Sequence, residues 1–419
     1  MPVSFFSDRL PTIALSVLLA LLIFLSNASI TFYYYVAIVL LVVSPLLIYV
    51  GSQQHLKLSN ADRMWAAALV LYTGAAALNM WVHGSWLWQE FNEPSKFLVV
   101  VVVFFAVRRH GVNEGVFLWS GLLGLAAATI FAWYQSEVLN VGRVYGSTNR
   151  IISAFGLIVL ITAYFSAIFV LHTKFRPRYQ LLAALAILLT MLYTVAATGT
   201  KGVWIALPGV AALFVLLKWK TARIGALLGL AAVFSISVML YWSNDLVHAR
   251  LSGLGKPLLV YFETGQVTDG SLSIRLETWK ASILMFWETP WFGVGLGGFV
   301  PEKARLISDG LILPITFGVG GPHNDLVGTL AIQGLVGFAA LVFMYSAFLR
   351  LCWAYKSQSI ELFWCGLGLV VIYSLSGLAG DRLSSNLSAT YLALMMAIVA
   401  GQMSWKYSRD SELNHDKAQ

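Results

Sequence analysis

The hydrophobic residues of this chain fall into long runs, and the polar segments between the runs are mostly short. Runs of about 17–25 apolar residues are long enough to cross a bilayer as α-helices. We predict about twelve such spans, at residues 11–26, 30–50, 63–82, 95–107, 112–134, 151–171, 180–197, 202–217, 222–242, 325–349, 359–379 and 386–405. The fourth is short, which is typical of a tilted or partly re-entrant segment. The pattern therefore predicts an all-α polytopic integral membrane protein.

Composition agrees with this class and excludes others. Of the 419 residues, 59% are hydrophobic and 11% are charged, whereas about a quarter of the residues of a soluble domain are charged. A soluble globular enzyme and a disordered chain are both excluded. The net charge of +8 does not indicate nucleic-acid binding, because the basic residues occur in short bursts between apolar runs. We expect Cys352 and Cys365 to be buried thiols that form neither a disulfide nor a metal site.

The distribution of lysine and arginine over the short loops predicts the orientation of the chain. With a cytoplasmic N-terminus, most of the 27 basic residues fall on the cytoplasmic side, namely Arg9, Lys57, Arg63, Arg108, Arg109, Lys174, Arg176, Arg178, Lys218, Lys220, Arg223, Arg350, Lys356, Lys406, Arg409 and Lys417. The short loops opposite carry only Lys96, Arg143, Arg150, Lys201 and Arg382. We therefore predict that both termini are cytoplasmic and that the first span is not a cleaved signal peptide.

The one long connection in this pattern is residues 243–324, which the predicted topology places outside the cytoplasm. The predicted organisation is nine spans in residues 1–242, this external loop, three spans in 325–405 and a cytoplasmic tail at 406–419. A long segment between spans is usually functional. The candidate chemistry is therefore sought in and around the loop.

Two stretches of the loop predict local structure. Residues 271–289 carry apolar side chains at roughly helical spacing. They favour an amphipathic helix that lies in the headgroup region or packs on the outer ends of the spans. The next segment, PWFGVGLGG at 290–298, matches G-x-G-x-x-G, but no strand precedes it and Pro301 follows, which excludes a dinucleotide site. Its glycines predict a tight turn that brings the backbone close to neighbouring helices or to a ligand.

A second external segment, residues 81–94, contains three tryptophans and two glutamates. It favours an aromatic belt at the membrane interface over a substrate contact by His83 or Glu90.

His323, Asn324 and Asp325 stand at the N-terminus of the tenth predicted span, after a proline and several glycines. Asn324 or Asp325 suits a helix N-cap. Amide donors and the helix dipole together favour an anion at such an end. A histidine at a helix start is often structural, but this one closes the long external loop among several cations, so both interpretations stay open.

The external cations form a second group, made of Arg143, Arg150, Lys201, Arg275 and Arg382. Taken singly, each is explained by headgroup contact or by a local salt bridge such as Asp381–Arg382. If they converge, they make a phosphate or diphosphate site, because guanidinium groups fit such oxygens in pairs. The sequence holds no DxD motif and no paired carboxylates of the kind that bind a metal, so it implies no metal and no other cofactor.

These motifs resemble a known family. SIRLETWKASILMFWETPWFGVGLGGF at 273–299 and PHNDLVGTLAIQGLVGF at 322–338 are similar to the core signature of the O-antigen ligase superfamily, which also contains O-antigen polymerases and protein O-oligosaccharyltransferases. RVYGSTN at 143–149 resembles an upstream element of that family. At the mouth of the eighth span the family often has Ser-Arg or Thr-Arg, whereas this chain has Thr200 and Lys201, which keeps the charge but not the bidentate fork.

The resemblance implies a GT-C-like glycosyltransferase of a Gram-negative inner membrane, with its active site on the periplasmic side. It would move an undecaprenyl-diphosphate-linked O-antigen onto lipid A–core oligosaccharide, or extend a second lipid-linked glycan if it is a polymerase. The short tail after the last span favours a ligase over a protein O-oligosaccharyltransferase. A transporter of lipid-linked glycan is the alternative of another class, but no midplane charges or internal repeat indicate it.

Chemistry suggests a role for each candidate residue. A histidine titrates near neutral pH and suits general-base catalysis, so His323 is the predicted base. Arg275 is predicted to act in catalysis and, with the other four cations, to neutralise the departing diphosphate. Supporting roles are predicted for Asn149, Asn324, Asp325 and Glu277, of which Glu277 and Asp325 are weak candidates for a nucleophile. Direct displacement would invert the anomeric centre.

The predicted topology is testable by cysteine labelling. A membrane-impermeant maleimide added to spheroplasts should label Gly265→Cys, which lies in the predicted external loop. It should not label Ser408→Cys in the predicted cytoplasmic tail until the membrane is opened. The reverse labelling pattern would overturn the predicted side of the active site.

Overall fold

The computed structural model describes residues 3–50, 58–148, 151–243, 248, 260, 261, 263–265 and 270–416. Within these ranges the chain is helical and forms no strand. The first nine helices are α1 (Val3–Ala28), α2 (Ile30–Val50), α3 (Asn60–Val82), α4 (Trp88–Val99), α5 (Val101–His110), α6 (Gly115–Trp133), α7 (Ile152–His172), α8 (Pro177–Thr198) and α9 (Lys201–Ser243). The last five are α10 (Gly270–Glu288), α11 (Phe299–Ser308), α12 (Asp325–Ala354), α13 (Ile360–Gly377) and α14 (Asn386–Asp416). The all-α prediction is confirmed for this part of the chain.

Ten helices of the described residues are long and apolar enough to cross a membrane, compared with the twelve spans predicted. The predicted fourth span is one of the two that differ, because it consists of the shorter helices α4 and α5, which meet at Val100. At one end of this pair, Lys96 donates to Asn386 Oδ1 at 2.6 Å. At the other end, a His110 ring nitrogen lies 2.8 Å from the carbonyl oxygen of Leu47, at the end of α2. The pair therefore connects the two ends of the helix bundle.

The predicted eighth and ninth spans are also described differently, because residues 201–243 form the single helix α9 of 43 residues. At 1.5 Å per residue this helix is about 64 Å long, roughly twice the thickness of a bilayer core. The predicted turn lies in the sequence KWKTAR at 218–223. Apart from its threonine and tryptophan, this sequence consists of strong helix formers, and it has no proline or glycine to end the helix.

The centre of the bundle is formed by α7 and α14, whose membrane-spanning parts are almost entirely buried. Most of their side chains are apolar on every side of the helix, which is typical of a helix surrounded by other helices. Cys352 of α12 and Cys365 of α13 are buried, as predicted.

One end of the bundle is fastened by a buried ion pair. Arg108 Nε donates to Asp62 Oδ2 at 3.2 Å, and the two side chains are 5% and 1% exposed. Asp62 Oδ1 also accepts from Tyr355 Oη at 3.0 Å and from Ser404 Oγ at 2.5 Å. These contacts join α3, α5, the end of α12 and α14, and they satisfy the carboxylate in an otherwise apolar region.

At the other end, α12 is broken at Gly334, whose φ of 65° and ψ of −162° are not helical. The segment 290–295, between α10 and α11, inserts at this break. Its Val294 and Gly295 amides donate to the carbonyls of Ala331 and Ile332 at 2.8 and 3.0 Å. In return, the Leu335 and Val336 amides donate to the carbonyls of Pro290 and Trp291 at 2.8 and 3.2 Å. The inserted segment therefore satisfies the backbone groups that the helix break would leave unpaired.

Two polar side chains of α3 hold the inserted segment from the other side. Asn79 donates to the Phe292 carbonyl at 2.5 Å and accepts from the Leu296 amide at 2.9 Å. His83 lies with one ring nitrogen 2.8 Å from the Asn79 carbonyl and the other 3.0 Å from that of Gly293. His83 is thus a structural residue. The predicted tight turn of glycines is confirmed, and the groups it approaches are helix backbones.

The helix α10 corresponds to the predicted amphipathic helix and packs against α12. Its buried face consists mainly of small or polar side chains, whereas Ile283 and Trp287 are exposed. This arrangement favours the predicted alternative of packing on the ends of the spans.

The break at Gly334 generates a stability prediction. A Cβ at Gly334 would lie 2.4 Å from the Trp291 carbonyl carbon, in a backbone conformation that L-residues rarely adopt. Gly334→Ala should therefore lower the free energy of unfolding by about 2–5 kcal/mol. Thermal unfolding in detergent measures the change. The control Gly74→Ala lies inside α3 with no atom within 4 Å of a new Cβ, and it should leave stability equal or higher. Equal melting of both variants would contradict the role of the break.

Candidate active site

His323 lies in the connection between α11 and α12, two residues before α12 begins. Its φ of 54° is positive, a conformation uncommon outside glycine. The next residue, Asn324, caps α12, because its Oδ1 accepts from the Leu326 and Val327 amides at 3.0 and 3.2 Å. Thr278 of α10 donates to the Pro322 carbonyl at 3.2 Å. The backbone is thus fixed both before and after His323.

The imidazole of His323 is paired with a carboxylate. Its Nδ1 lies 2.7 Å from Asp381 Oδ2, and the two side chains are 40% and 22% exposed. The predicted alternative of a local Asp381–Arg382 salt bridge is not observed, because Asp381 turns to His323. A carboxylate on Nδ1 favours the tautomer that leaves Nε2 free to accept a proton. The pair therefore has the arrangement of an oriented general base.

A cavity of about 410 Å³ opens beside this pair. It lies between α4, the α11 start and the α12 start, and its polar lining includes Glu90, Glu93, His323, Asp325, Gln333 and Asp381. The tryptophans of segment 81–94 are exposed, as predicted for an interfacial belt. Glu90, in contrast, lines the cavity, which was the less favoured prediction for this segment.

Arg382 extends away from the cavity, towards the start of α9. A Cβ on Gly202 would lie 2.7 Å from an Arg382 Nη, so the guanidinium packs on the backbone next to Lys201. Arg382 is 2% exposed, and among the described residues its Nε has no hydrogen-bond partner. Burial lowers the pKa of Arg382, Asp325 opposes this shift, and Arg275 is close enough to lower the pKa further. Arg275, Arg382 and the start of α9 are therefore neighbours, as the predicted convergence requires.

Arg143 reaches the same region from the connection between α6 and α7. Its Nε donates to the Thr198 carbonyl at 3.1 Å, at the end of α8 and just before Lys201. The loop that carries it is ordered by Gln135, whose Oε1 accepts from the Tyr145 and Gly146 amides at 3.0 and 2.9 Å. The predicted site residues Asn149 and Arg150 lie outside the described residues.

Glu277 and Asp325 both bind the protein itself. Glu277 is buried, accepts a hydrogen bond from the Tyr261 hydroxyl, and accepts one from the Leu313 amide at 2.7 Å. Burial, followed by the bond to Glu277, raises the pKa of Tyr261. Asp325 Oδ1 accepts from the Leu383 amide at 3.1 Å, which holds the α13–α14 connection against α12. Because both carboxylates are already engaged in hydrogen bonds within the protein, supporting roles are favoured over that of a nucleophile.

This geometry coincides with a family match. Residues 186–342 match the family model described as O-Antigen ligase. The match confirms the resemblance to the O-antigen ligase and polymerase superfamily. Lys201, Arg275 and His323 lie inside the matched segment, whereas Arg143, Asp381 and Arg382 lie outside it.

The chain is also similar to an uncharacterized protein of Haemophilus influenzae. The two are 22% identical over 329 residues, which cover 78% of this chain and 81% of the other. The apolar helices indicate a multi-pass membrane protein, and residues 186–342 of it are similar to the O-antigen ligase family.

The structure adds residues to the site that the sequence did not assign to it. Asp381 was predicted only as a local partner of Arg382, and no motif connects it to His323, 58 positions earlier in the chain. Glu93 and Gln333 also line the cavity, although no sequence pattern assigned either of them a role in the site. The one signal for Gln135 is a polar side chain at the end of an apolar run.

If Asp381 orients the imidazole, Asp381→Asn should reduce glycan transfer on the order of 100-fold or more, because an asparagine NH₂ favours the wrong tautomer. Binding of the lipid-linked donor should be unchanged. Initial rates and donor affinity of the purified protein measure both effects. Asp309→Asn is the matched control, since this exposed carboxylate pairs with Arg305 at the end of α11. A wild-type rate for Asp381→Asn would remove Asp381 from the mechanism.

Proposed function

We propose that this protein is an O-antigen ligase that transfers glycan from undecaprenyl diphosphate onto lipid A–core oligosaccharide at the periplasmic face of the inner membrane. The observation that carries the proposal is the His323–Asp381 pair at 2.7 Å, which lies between a cavity and a group of cations. Glycosyl transfer from a diphosphate needs both parts, a base for the acceptor and positive charge for the leaving group.

The base acts on the acceptor. His323 Nε2 takes the proton of a sugar hydroxyl as its oxygen attacks the anomeric carbon of the donor, and Asp381 stabilises the imidazolium that forms. The new carbon–oxygen bond forms on the face opposite the departing diphosphate. This direct displacement inverts the anomeric centre.

The cations act on the donor. The bond between the anomeric carbon and the diphosphate oxygen breaks, and negative charge grows on the leaving group. Arg275, Arg382, Lys201 and Arg143 stabilise that charge, and Arg150 is assigned to the same group from the sequence. Arg382 is suited to this role because it is already desolvated, so its interaction with an oxyanion is weakly screened.

Ligase and polymerase differ only in the acceptor, so reconstitution separates them. Purified protein in liposomes is given lipid-linked O-antigen with either lipid A–core or a second lipid-linked unit as the sole acceptor. Transfer to lipid A–core supports the ligase. Extension of the lipid-linked unit alone would replace it with a polymerase, and donor translocation without a new glycosidic bond would indicate a transporter.

The role of the base gives a sharp test. His323→Gln keeps the polarity and approximate size of the side chain but has no basic nitrogen at neutral pH. Its transfer rate should fall on the order of 100- to 10,000-fold, the usual contribution of a general base. Donor binding should remain close to wild type, because the diphosphate is held by other groups. A near wild-type transfer rate would make His323 a structural residue.

Arg275 supplies the contrasting variant. Arg275→Ala should weaken donor binding as well as turnover, and Arg275→Lys should restore only part of each, because a point charge replaces a bidentate fork. If both arginine variants bound donor normally, the assignment of the cations to the diphosphate would be wrong.

A further inference from the structure

The cavity beside His323 has a wall of carboxylates. Glu90, Glu93, Asp325 and Asp381 all line it, and among the described residues His323 is the one basic side chain in its lining. Asp381 is paired with His323, and Glu93 lies 3.8 Å from Lys96. Glu90 is exposed, and its carboxylate makes no hydrogen bond or ion pair within the described part of the chain. At least one carboxylate is therefore available to a ligand.

A buried amide in the same cavity also has unused hydrogen-bonding capacity. Gln333 of α12 lines the cavity and is 8% exposed. Its Oε1 is buried without a hydrogen-bond partner in the ranges that the structure describes. A buried polar group without a partner is destabilising, and a bound polar ligand that forms a hydrogen bond with this amide relieves that cost.

The cations of the site lie elsewhere. Of the described residues Arg143, Lys201, Arg275 and Arg382, none belongs to the cavity lining. The adjacent residues Asp381 and Arg382 separate the two regions, since Asp381 faces the cavity and Arg382 packs on Gly202. A diphosphate in the cavity would meet like charge, so the donor phosphate belongs on the Arg382 side.

We infer that this cavity is the acceptor subsite and that it selects a neutral sugar with free hydroxyls against a phosphorylated one. The inference rests on the proposed function and specifies the chemical class of its acceptor. Carboxylates accept hydrogen bonds from adjacent hydroxyls, and an amide both donates and accepts. A phosphate on the acceptor sugar is repelled by the carboxylates of Glu90 and Glu93. The cavity volume of about 410 Å³ is within the range of small-molecule sites.

Equilibrium binding tests this inference without requiring transfer. The probes are two core oligosaccharides that differ only in a phosphate on the terminal hexose. No donor is added, and the protein carries His323→Gln to slow any residual transfer. The neutral probe should bind at least about tenfold more tightly than the phosphorylated one. Adding Glu90→Gln should weaken the neutral probe about tenfold and reduce the discrimination between the probes to less than about threefold. Donor affinity should not change.

Glu137→Gln is the matched control, because Glu137 is an exposed carboxylate that follows α6 on the same end of the bundle and does not line the cavity. Gln333→Leu is a second variant, which should weaken the neutral probe and leave donor affinity unchanged. Equal binding of the two probes, or a Glu90→Gln effect on donor alone, would overturn the subsite. Failure of the ligase itself is distinguished by wild-type reconstitution, because a polymerase would give no product with lipid A–core whatever the probes show.

Discussion

The candidate site depends on one backbone constraint, the pairing of broken helix α12 with the inserted segment 290–295. Inside a membrane, an unpaired amide or carbonyl is costly, so a helix break persists only where other groups replace the lost hydrogen bonds. Here the replacement hydrogen bonds run between the backbone of segment 290–295 and the backbone of α12, in both directions. Glycines at 293 and 334 permit it, because any Cβ there would meet backbone atoms at 2.4 Å. The family-like motifs PWFGVG and GLVG are the two halves of this contact.

The consequences extend to the candidate site residues. The segment before α12 carries His323, and Gln333 stands next to the break, so the position of both is set by the same pairing. On this frame the charges are sorted by side, with carboxylates around the cavity and arginines and a lysine towards α8 and α9. This separation suits a transfer reaction. The acceptor loses a proton on the side of the carboxylates, and the donor phosphate gains negative charge on the side of the cations.

Much of the fold follows from hydropathy, since long apolar runs must be helices in a bilayer. The location of His323 and the nearness of Arg275 and Arg382 followed from loop position and motif. The His323–Asp381 contact did not, because it joins two connections distant in sequence and depends on how α12, α13 and α14 pack. The continuous helix α9 differs from the two predicted spans for another reason. The basic residues at 218–223 interrupt the apolar run, but lysine and arginine favour helices, so the helix continues through them. The break in the fourth predicted span is harder to predict, because α4 and α5 are separated by a single apolar residue, Val100.

The buried pair of Asp62 and Arg108 has a further consequence for handling the protein. Exposed ion pairs, such as those of Arg305 with Glu288 and Glu302, are weakened by added salt because mobile ions screen them. The Asp62–Arg108 contact is shielded from such ions by the surrounding helices. Extraction at high ionic strength therefore loosens the surface around α11 before it affects the end of the bundle where α3, α5, α12 and α14 are joined. The two ends of this protein therefore differ in their sensitivity to salt.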